Sequence, residues 1–127
     1  MAVGAFWRIV LLGTLLTGMA QAETFLLMAE EEGCSWCARW NAEIGPIYPK
    51  TAEGQNAPLR RFDLRKGQPD YIALKSAVRF TPTFILVKET EEIARIEGYP
   101  GEELFWWQLS VMLKRSGPQE QQKGNDQ

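Results

Sequence analysis

The chain has 127 residues, with 14 lysines and arginines against 16 aspartates and glutamates, so its formal net charge is −2. This balance leaves no basic surface of the kind that binds nucleic acid, and we expect no nucleic-acid partner. Histidine is absent, which excludes Ser-His-Asp and Cys-His catalysis as well as histidine-ligated metal sites.

The first 22 residues have the pattern of a secretory signal peptide. Arg8 precedes an apolar run over 9–16, and small residues end in Ala20-Gln21-Ala22, an A-x-A cleavage site. The apolar run is about half the ~20 residues that span a bilayer, so we prefer cleavage after Ala22 to an uncleaved membrane anchor. An exported chain enters an oxidising compartment, where a cysteine pair can rest as a disulfide.

One domain is predicted over residues 23–115, followed by a disordered polar tail over 116–127 that lacks apolar anchors. In chain order the predicted elements are a strand at 24–29, a helix at 38–44, a strand at 59–64, a helix at 70–77, strands at 83–88 and 93–97, and a helix at 102–114. The stretch 45–58 is rich in proline and glycine, which indicates a kink and a surface loop.

This order, β-α-β-α-β-β-α, predicts an α/β fold. Strands joined through a helix must run parallel with right-handed crossovers, while the tight connection between the last two strands requires an antiparallel hairpin. A mixed four-stranded sheet flanked by helices follows.

Cys34 and Cys37, the only cysteines, stand between a predicted strand and a predicted helix. On a helix they lie on one face, which continues to Trp40 and Ile44, so Cys37 is expected on the inward side. Cys34 lies at the helix start, where unpaired N–H groups and the helix dipole favour a thiolate. We therefore expect Cys34 to be the nucleophile and Cys37 the resolving thiol. A structural disulfide is the alternative, but so short a loop constrains the unfolded chain only weakly.

Three sequence features carry a family resemblance: Cys34-Ser35-Trp36-Cys37 at the strand-to-helix junction, Thr81-Pro82 before a hydrophobic strand, and Gly98 after the next strand. With them the chain resembles thioredoxin-like proteins over residues 25–113. The segment GCSWCARWNAEIGPIYPK, residues 33–50, is also similar to the small periplasmic thioredoxin-like proteins encoded with bacterial sulfur-oxidation (Sox) systems. The resemblance implies a minimal thioredoxin-like fold and a thiol-disulfide oxidoreductase with no cofactor beyond its Cys34–Cys37 disulfide, and no metal.

The resemblance also implies a substrate site. In this family the proline equivalent to Pro82 is cis and lies against the dithiol, and Thr81 would present its backbone to an extended substrate strand. Trp36 is expected flat at the rim beside Cys34, with Tyr99 as part of the same rim. The alternatives are an ordinary trans proline that opens a strand and aromatic residues that only pack.

Two features depart from ordinary thioredoxins. A buried carboxylate usually lies six residues before the first cysteine, where it relays a proton for the resolving thiol, but Met28 occupies that position. The acids in the loop at 30–32 are the nearest substitutes, although we interpret them as a solvated loop. The last helix is so apolar that Trp106 or Trp107 should stay partly exposed.

The expected partners follow from the resemblance. They are a protein disulfide substrate, with the Sox sulfur-carrier protein as the specific candidate, and a membrane thiol transporter as electron donor. We expect a periplasmic monomer of reducing or isomerising character. A general periplasmic reductase or a cytochrome c maturation reductase would share these features. Two other classes stay open: a metal chaperone that binds Cu(I) or zinc through two thiolates, and a binding protein whose disulfide is only a switch.

Overall fold

The computed structural model describes residues 23–117. The predicted signal peptide over 1–22 lies outside these residues, as does the predicted tail apart from Ser116 and Gly117. Ser116 is the last residue of the final helix. Within residues 23–117 the strands are β1 (Thr24–Glu30), β2 (Leu59–Asp63), β3 (Thr83–Lys88) and β4 (Glu91–Glu97), and the α-helices are α1 (Ser35–Glu43), α2 (Ala52–Asn56) and α3 (Glu102–Ser116).

The four strands form one mixed sheet in the order β2-β1-β3-β4. β1 and β2 are parallel, as their connection through α1 requires, whereas β3 is antiparallel to both β1 and β4. β1 and β3 lie in the centre and are apolar on both faces, which is why they read as continuous hydrophobic runs. This confirms the predicted α/β class with a mixed four-stranded sheet.

The two faces of the sheet carry separate apolar clusters. On one face α1 and α3 cover the sheet, and Trp40 packs against Tyr48, Phe84 and Phe105 at ring-centroid distances of 5.1–6.1 Å. On the other face, Phe25, Leu27, Ile85 and Val87 pack with Ile72 and Val78, which belong to an irregular segment. The dithiol helix is therefore fixed to the sheet by the larger, aromatic cluster.

The predicted helix at 70–77 is wrong, because this segment is irregular. Its backbone groups bond to β4 and to the turn before it instead: the Ala73 N–H donates to Thr90 O at 2.7 Å, and Ala73 O accepts from Glu92 N–H at 3.2 Å. The Gln68 side chain bonds both backbone groups of Val78. These tertiary hydrogen bonds outweigh a weak local helix preference. The predicted order β-α-β-α-β-β-α therefore lacks its second helix between β2 and β3.

The stretch 45–58, predicted to be a loop, contains the short helix α2 and a 3₁₀ turn at Tyr48–Lys50. The Thr51 hydroxyl accepts the Gly54 N–H at 3.0 Å and so caps α2. Within residues 23–117, no helix is long and apolar enough to cross a membrane.

Candidate active site at the β1–α1 junction

The cysteine pair lies at the junction between the end of β1 and the start of α1. Gly33 has φ +83°, a left-handed conformation that glycine adopts without steric cost, and it turns the chain into the helix. Cys34 is the N-cap residue of α1 and is partly exposed, whereas Cys37, one turn later, is only 4% exposed. The chain thus presents one sulfur to solvent and holds the other against the core.

Cys34 and Cys37 are joined as a disulfide, with their Cα atoms 5.2 Å apart. The Cys37 N–H donates to Cys34 Sγ at 3.1 Å. In the reduced protein this N–H, together with the helix N-terminus, would stabilise a thiolate on Cys34. The arrangement is suited to attack by Cys34 and release by Cys37.

The segment before β3 forms the second part of the site. The Thr81–Pro82 peptide bond is cis, and the Pro82 carbonyl accepts the Gly98 N–H at 2.7 Å. Gly98 has φ +84°, so a residue with a side chain would be strained there. This contact joins the start of β3 to the end of β4. We call residues 80–82 the cis-proline loop.

A shallow pocket of about 300 Å³ lies between the dithiol helix and the cis-proline loop. Its lining includes every site residue that the sequence predicted outside the cysteine pair: Trp36, Thr81, Pro82 and Tyr99. Trp36 is 52% exposed at the rim, whereas Tyr99 is only 6% exposed.

A chain of contacts along α1 supports Trp36. The Arg39 guanidinium lies 5.4 Å from the centre of the Trp36 ring, and Arg39 Nε donates to Glu43 at 2.8 Å. The Tyr99 hydroxyl donates to the other Glu43 oxygen at 2.5 Å. The hydrogen bonds from Arg39 and Tyr99 hold the pKa of Glu43 below its usual range, while burial and the bond to Glu43 raise the pKa of Tyr99. Arg39 and Glu43 thereby connect two residues that line the pocket, Trp36 and Tyr99.

The comparisons with solved structures agree with this geometry. The periplasmic thioredoxin SoxS from Paracoccus pantotrophus, in its reduced form, is similar to this chain with a TM-score of 0.72. The two are 46% identical, and the match covers 75% of this chain and 100% of that one. The chain belongs to the thioredoxin-like family.

With its bonded cysteine pair, this thioredoxin-like protein is a thiol-disulfide oxidoreductase. Thioredoxin-2 of the malaria parasite also matches, with a TM-score of 0.54 and 22% identity over 75% of this chain and 85% of that one, which supports the fold alone. No protein-family model matches the chain, and no curated protein does.

This thioredoxin-like protein has a different environment at the position of the usual buried acid. Met28 is fully buried there, and Arg61 Nη1 lies 3.6 Å from its sulfur. The Arg61 guanidinium also bonds Asn41 at 2.8 Å and Glu30 at 2.5 Å, so it joins β2 to both β1 and α1. A paired cation therefore lies beside the residue that replaces the proton-relaying carboxylate.

The interpretation of residues 30–32 as a solvated acidic loop is incomplete, because two of its three glutamates are only about one-third exposed and make specific contacts. Glu30 pairs with Arg61, and Glu31 accepts the Thr81 hydroxyl proton at 2.9 Å. Glu32 fits the prediction, with a 94% exposed side chain. Sequence reasoning missed Glu31 because its partner lies 50 positions away and nothing local marks the contact.

The two tryptophans of the last helix, Trp106 and Trp107, differ in exposure. Trp106 is partly buried and stacks on Tyr48, with ring centroids 6.1 Å apart and planes inclined by 10°. Trp107 is 62% exposed, so it is the tryptophan of this pair that stays largely in solvent. In the part of the chain that the structure describes, no group of three or more histidine, cysteine or acidic side chains is arranged to hold a metal ion.

Proposed function

We propose that this protein is an exported reductase that restores a periplasmic sulfur-carrier protein of a bacterial sulfur-oxidation system. The observation that carries the proposal is the 46% identity to a periplasmic SoxS thioredoxin over that protein's whole length. The resemblance of residues 33–50 to Sox-encoded thioredoxins points to the same setting. The carrier would bear a single cysteine on a mobile arm, and a disulfide on that cysteine would block it.

The proposed reaction is a pair of thiol-disulfide exchanges. The Cys34 thiolate attacks the carrier sulfur of the blocking disulfide, which expels the blocking thiolate and leaves Cys34 bonded to the carrier. Cys37, as a thiolate, then attacks Cys34 Sγ, so the carrier leaves as a thiol and the Cys34–Cys37 disulfide forms. Two electrons pass from the dithiol to the carrier disulfide, and no cofactor beyond that dithiol takes part.

The shallow pocket suits such a substrate. A carrier arm would lie across Thr81 as a short added strand, with Trp36 against its apolar atoms. The oxidised enzyme then needs new electrons, which we assign to a membrane thiol transporter. The chain would act in the periplasm as a monomer, after removal of residues 1–22.

The test uses the reduced protein and a carrier protein blocked as a disulfide. We expect the reduced protein to restore carrier free thiols faster than an equal amount of a general thioredoxin, with one thiol restored per dithiol consumed. A Cys37→Ala variant should capture the carrier as a mixed disulfide, while a Cys34→Ala/Cys37→Ala variant, as matched control, should not. Equal rates for both thioredoxins, or no capture, would leave only a general periplasmic reductase.

A further inference from the structure

Glu31 contacts both halves of the active site. Its backbone carbonyl accepts the Cys34 N–H at 3.3 Å, and its carboxylate accepts the Thr81 hydroxyl proton at 2.9 Å. One residue therefore bonds both the nucleophilic cysteine and the residue before the cis-proline, although Glu31 and Thr81 are 50 positions apart.

The Glu31 carboxylate is itself held in place from a third element. Arg65, in the 3₁₀ turn after β2, has its Nε 3.7 Å from the second Glu31 oxygen. The same arginine donates to the Glu32 carbonyl at 2.8 Å. Arg65 therefore contacts both the Glu31 side chain and the backbone of the loop that precedes Cys34. The Glu31 side chain is about one-third exposed, which leaves it room to be replaced without overpacking.

We propose that Glu31 is a positioning residue that sets the Thr81 backbone at the correct distance from Cys34 for a substrate strand. Attack on a protein disulfide needs the strand docked on the Thr81 backbone while its sulfur faces Cys34 Sγ. A hydrogen bond to a carboxylate is stronger than one to a neutral acceptor. The Glu31 carboxylate thus holds the cis-proline loop in a fixed position relative to Cys34.

The role predicts a difference between substrates. A protein disulfide uses the Thr81 backbone, whereas a small disulfide reaches Cys34 without it. Loss of the Glu31 carboxylate should therefore slow the first reaction and largely spare the second. A purely electrostatic role, in which the negative charge lowers Cys34 reactivity, would change both rates together.

The experiment measures kcat/KM for insulin reduction, with dithiothreitol as the electron source, and the rate with dithiobis-nitrobenzoate, a small aromatic disulfide. Glu31→Ala should lower kcat/KM for insulin about tenfold, the equivalent of one lost charge-assisted hydrogen bond. Its rate with the small disulfide should stay within about twofold of the wild type. Glu31→Gln, which keeps a neutral acceptor oxygen for Thr81 but loses the charge, should have an insulin activity between those of Glu31→Ala and the wild type.

Two further variants separate positioning from charge and from misfolding. Glu32→Ala is the matched control, because it removes the same charge from the same loop without touching Thr81. Thr81→Val is nearly isosteric and removes the donor, so it should reproduce the Glu31→Ala loss, and Thr81→Ser should restore most of it. The double variant Glu31→Ala/Thr81→Val should be no slower than either single variant.

Three outcomes would overturn the proposal. They are equal losses with insulin and with the small disulfide, a loss in Glu32→Ala as large as in Glu31→Ala, and additive losses in the double variant. Each would assign Glu31 an electrostatic or purely structural role and leave the oxidoreductase activity and the carrier assignment unaffected.

Discussion

At the scale of single residues, the two cysteines differ mainly in exposure. Cys34 caps the helix and reaches solvent, while Cys37 is buried among residues that include Met28 and Trp40. A thiolate must reach its target disulfide to react, so we expect the exposed sulfur to attack and the buried one to resolve. This division of labour can be measured directly.

We expect Cys34→Ser to abolish dithiol turnover, because no thiolate remains that a protein disulfide can reach. Cys37→Ser should still attack substrates and should accumulate mixed disulfides that resolve slowly. Non-reducing gels and insulin reduction would distinguish the two variants. Faster alkylation of Cys37 than of Cys34 in the reduced wild-type protein would reverse the assignment.

The residues between the cysteines bear on the redox potential. Strong oxidases of this superfamily stabilise their thiolate with a histidine between the cysteines, whereas Ser35 and Trp36 supply no positive charge here. On a scale from about −270 mV for thioredoxin to about −120 mV for DsbA, we expect a value in the lower half. A titration against glutathione that gave a value near the DsbA end would contradict this.

At the scale of elements, α1 does more than present the cysteines. Trp36, Arg39 and Glu43 follow one another at spacings of three and four residues, so they lie along one face of the helix. Tyr99, just after β4, closes this row by donating to Glu43. The helix therefore sets the orientation of the tryptophan at the rim of the pocket.

Removal of the Arg39 guanidinium, which lies over the Trp36 ring, should increase the mobility of the Trp36 side chain. We expect Arg39→Ala to increase the fast motion of the Trp36 indole and to lower kcat/KM for a protein disulfide about threefold. NMR relaxation of the indole N–H would measure the motion. Arg60→Ala is the control, since Arg60 also lies over an aromatic ring, 4.1 Å from that of Phe25, on a different part of the sheet. An unchanged Trp36 indole in Arg39→Ala would refute the support role.

At the scale of the whole molecule, the irregular segment 68–79 takes the place of a helix on the second face of the sheet. It is tied to β4 through Glu92, a buried carboxylate that accepts from Arg95 at 2.5 and 2.7 Å and from the Lys75 N–H at 2.8 Å. Arg95 also donates to the Ser76 carbonyl. The Glu92–Arg95 ion pair therefore fixes the irregular segment to β4.

Glu92→Ala should destabilise the protein by about 3 kcal/mol, because it removes the buried carboxylate that pairs most closely with Arg95 and frees the Lys75 N–H. Glu91→Ala, which removes an exposed neighbour on the same strand, should change stability by less than about 0.5 kcal/mol. Urea unfolding of both variants would test this. A loss in Glu91→Ala equal to that in Glu92→Ala would show that the effect belongs to the strand and not to the buried pair.

The same carboxylate predicts a pH dependence. Burial alone would raise the pKa of Glu92, but the hydrogen bonds from Arg95 and Lys75 outweigh it and bring the pKa below its ordinary value of 4.5. A carboxyl with a lowered pKa in the folded state stabilises the protein above the unfolded pKa, and this stability is lost as the pH falls through the folded value. Stability should therefore drop below about pH 4.5, and less steeply in Glu92→Gln.

Local sequence signals determined the parts of this protein that depend on neighbours in the chain. The strands, α1, α3 and the exposures of Cys34 and Cys37 follow from hydrophobic periodicity and helical spacing, which act over a few residues. The rules for connecting strands gave the mixed sheet, and the family resemblance added the expected substrate side of the site. Because these features agree with one another, the fold class could be predicted from the sequence.

Only the tertiary structure decided the features that depend on distant contacts. The segment 70–77 has a helical pattern, yet its backbone bonds to β4, which no local propensity encodes. Glu31 looks like any acid in a charged loop until folding brings Thr81 to within 2.9 Å of it. The physical reason is the same in both cases: a hydrogen bond between remote residues forms only after the sheet has aligned their strands.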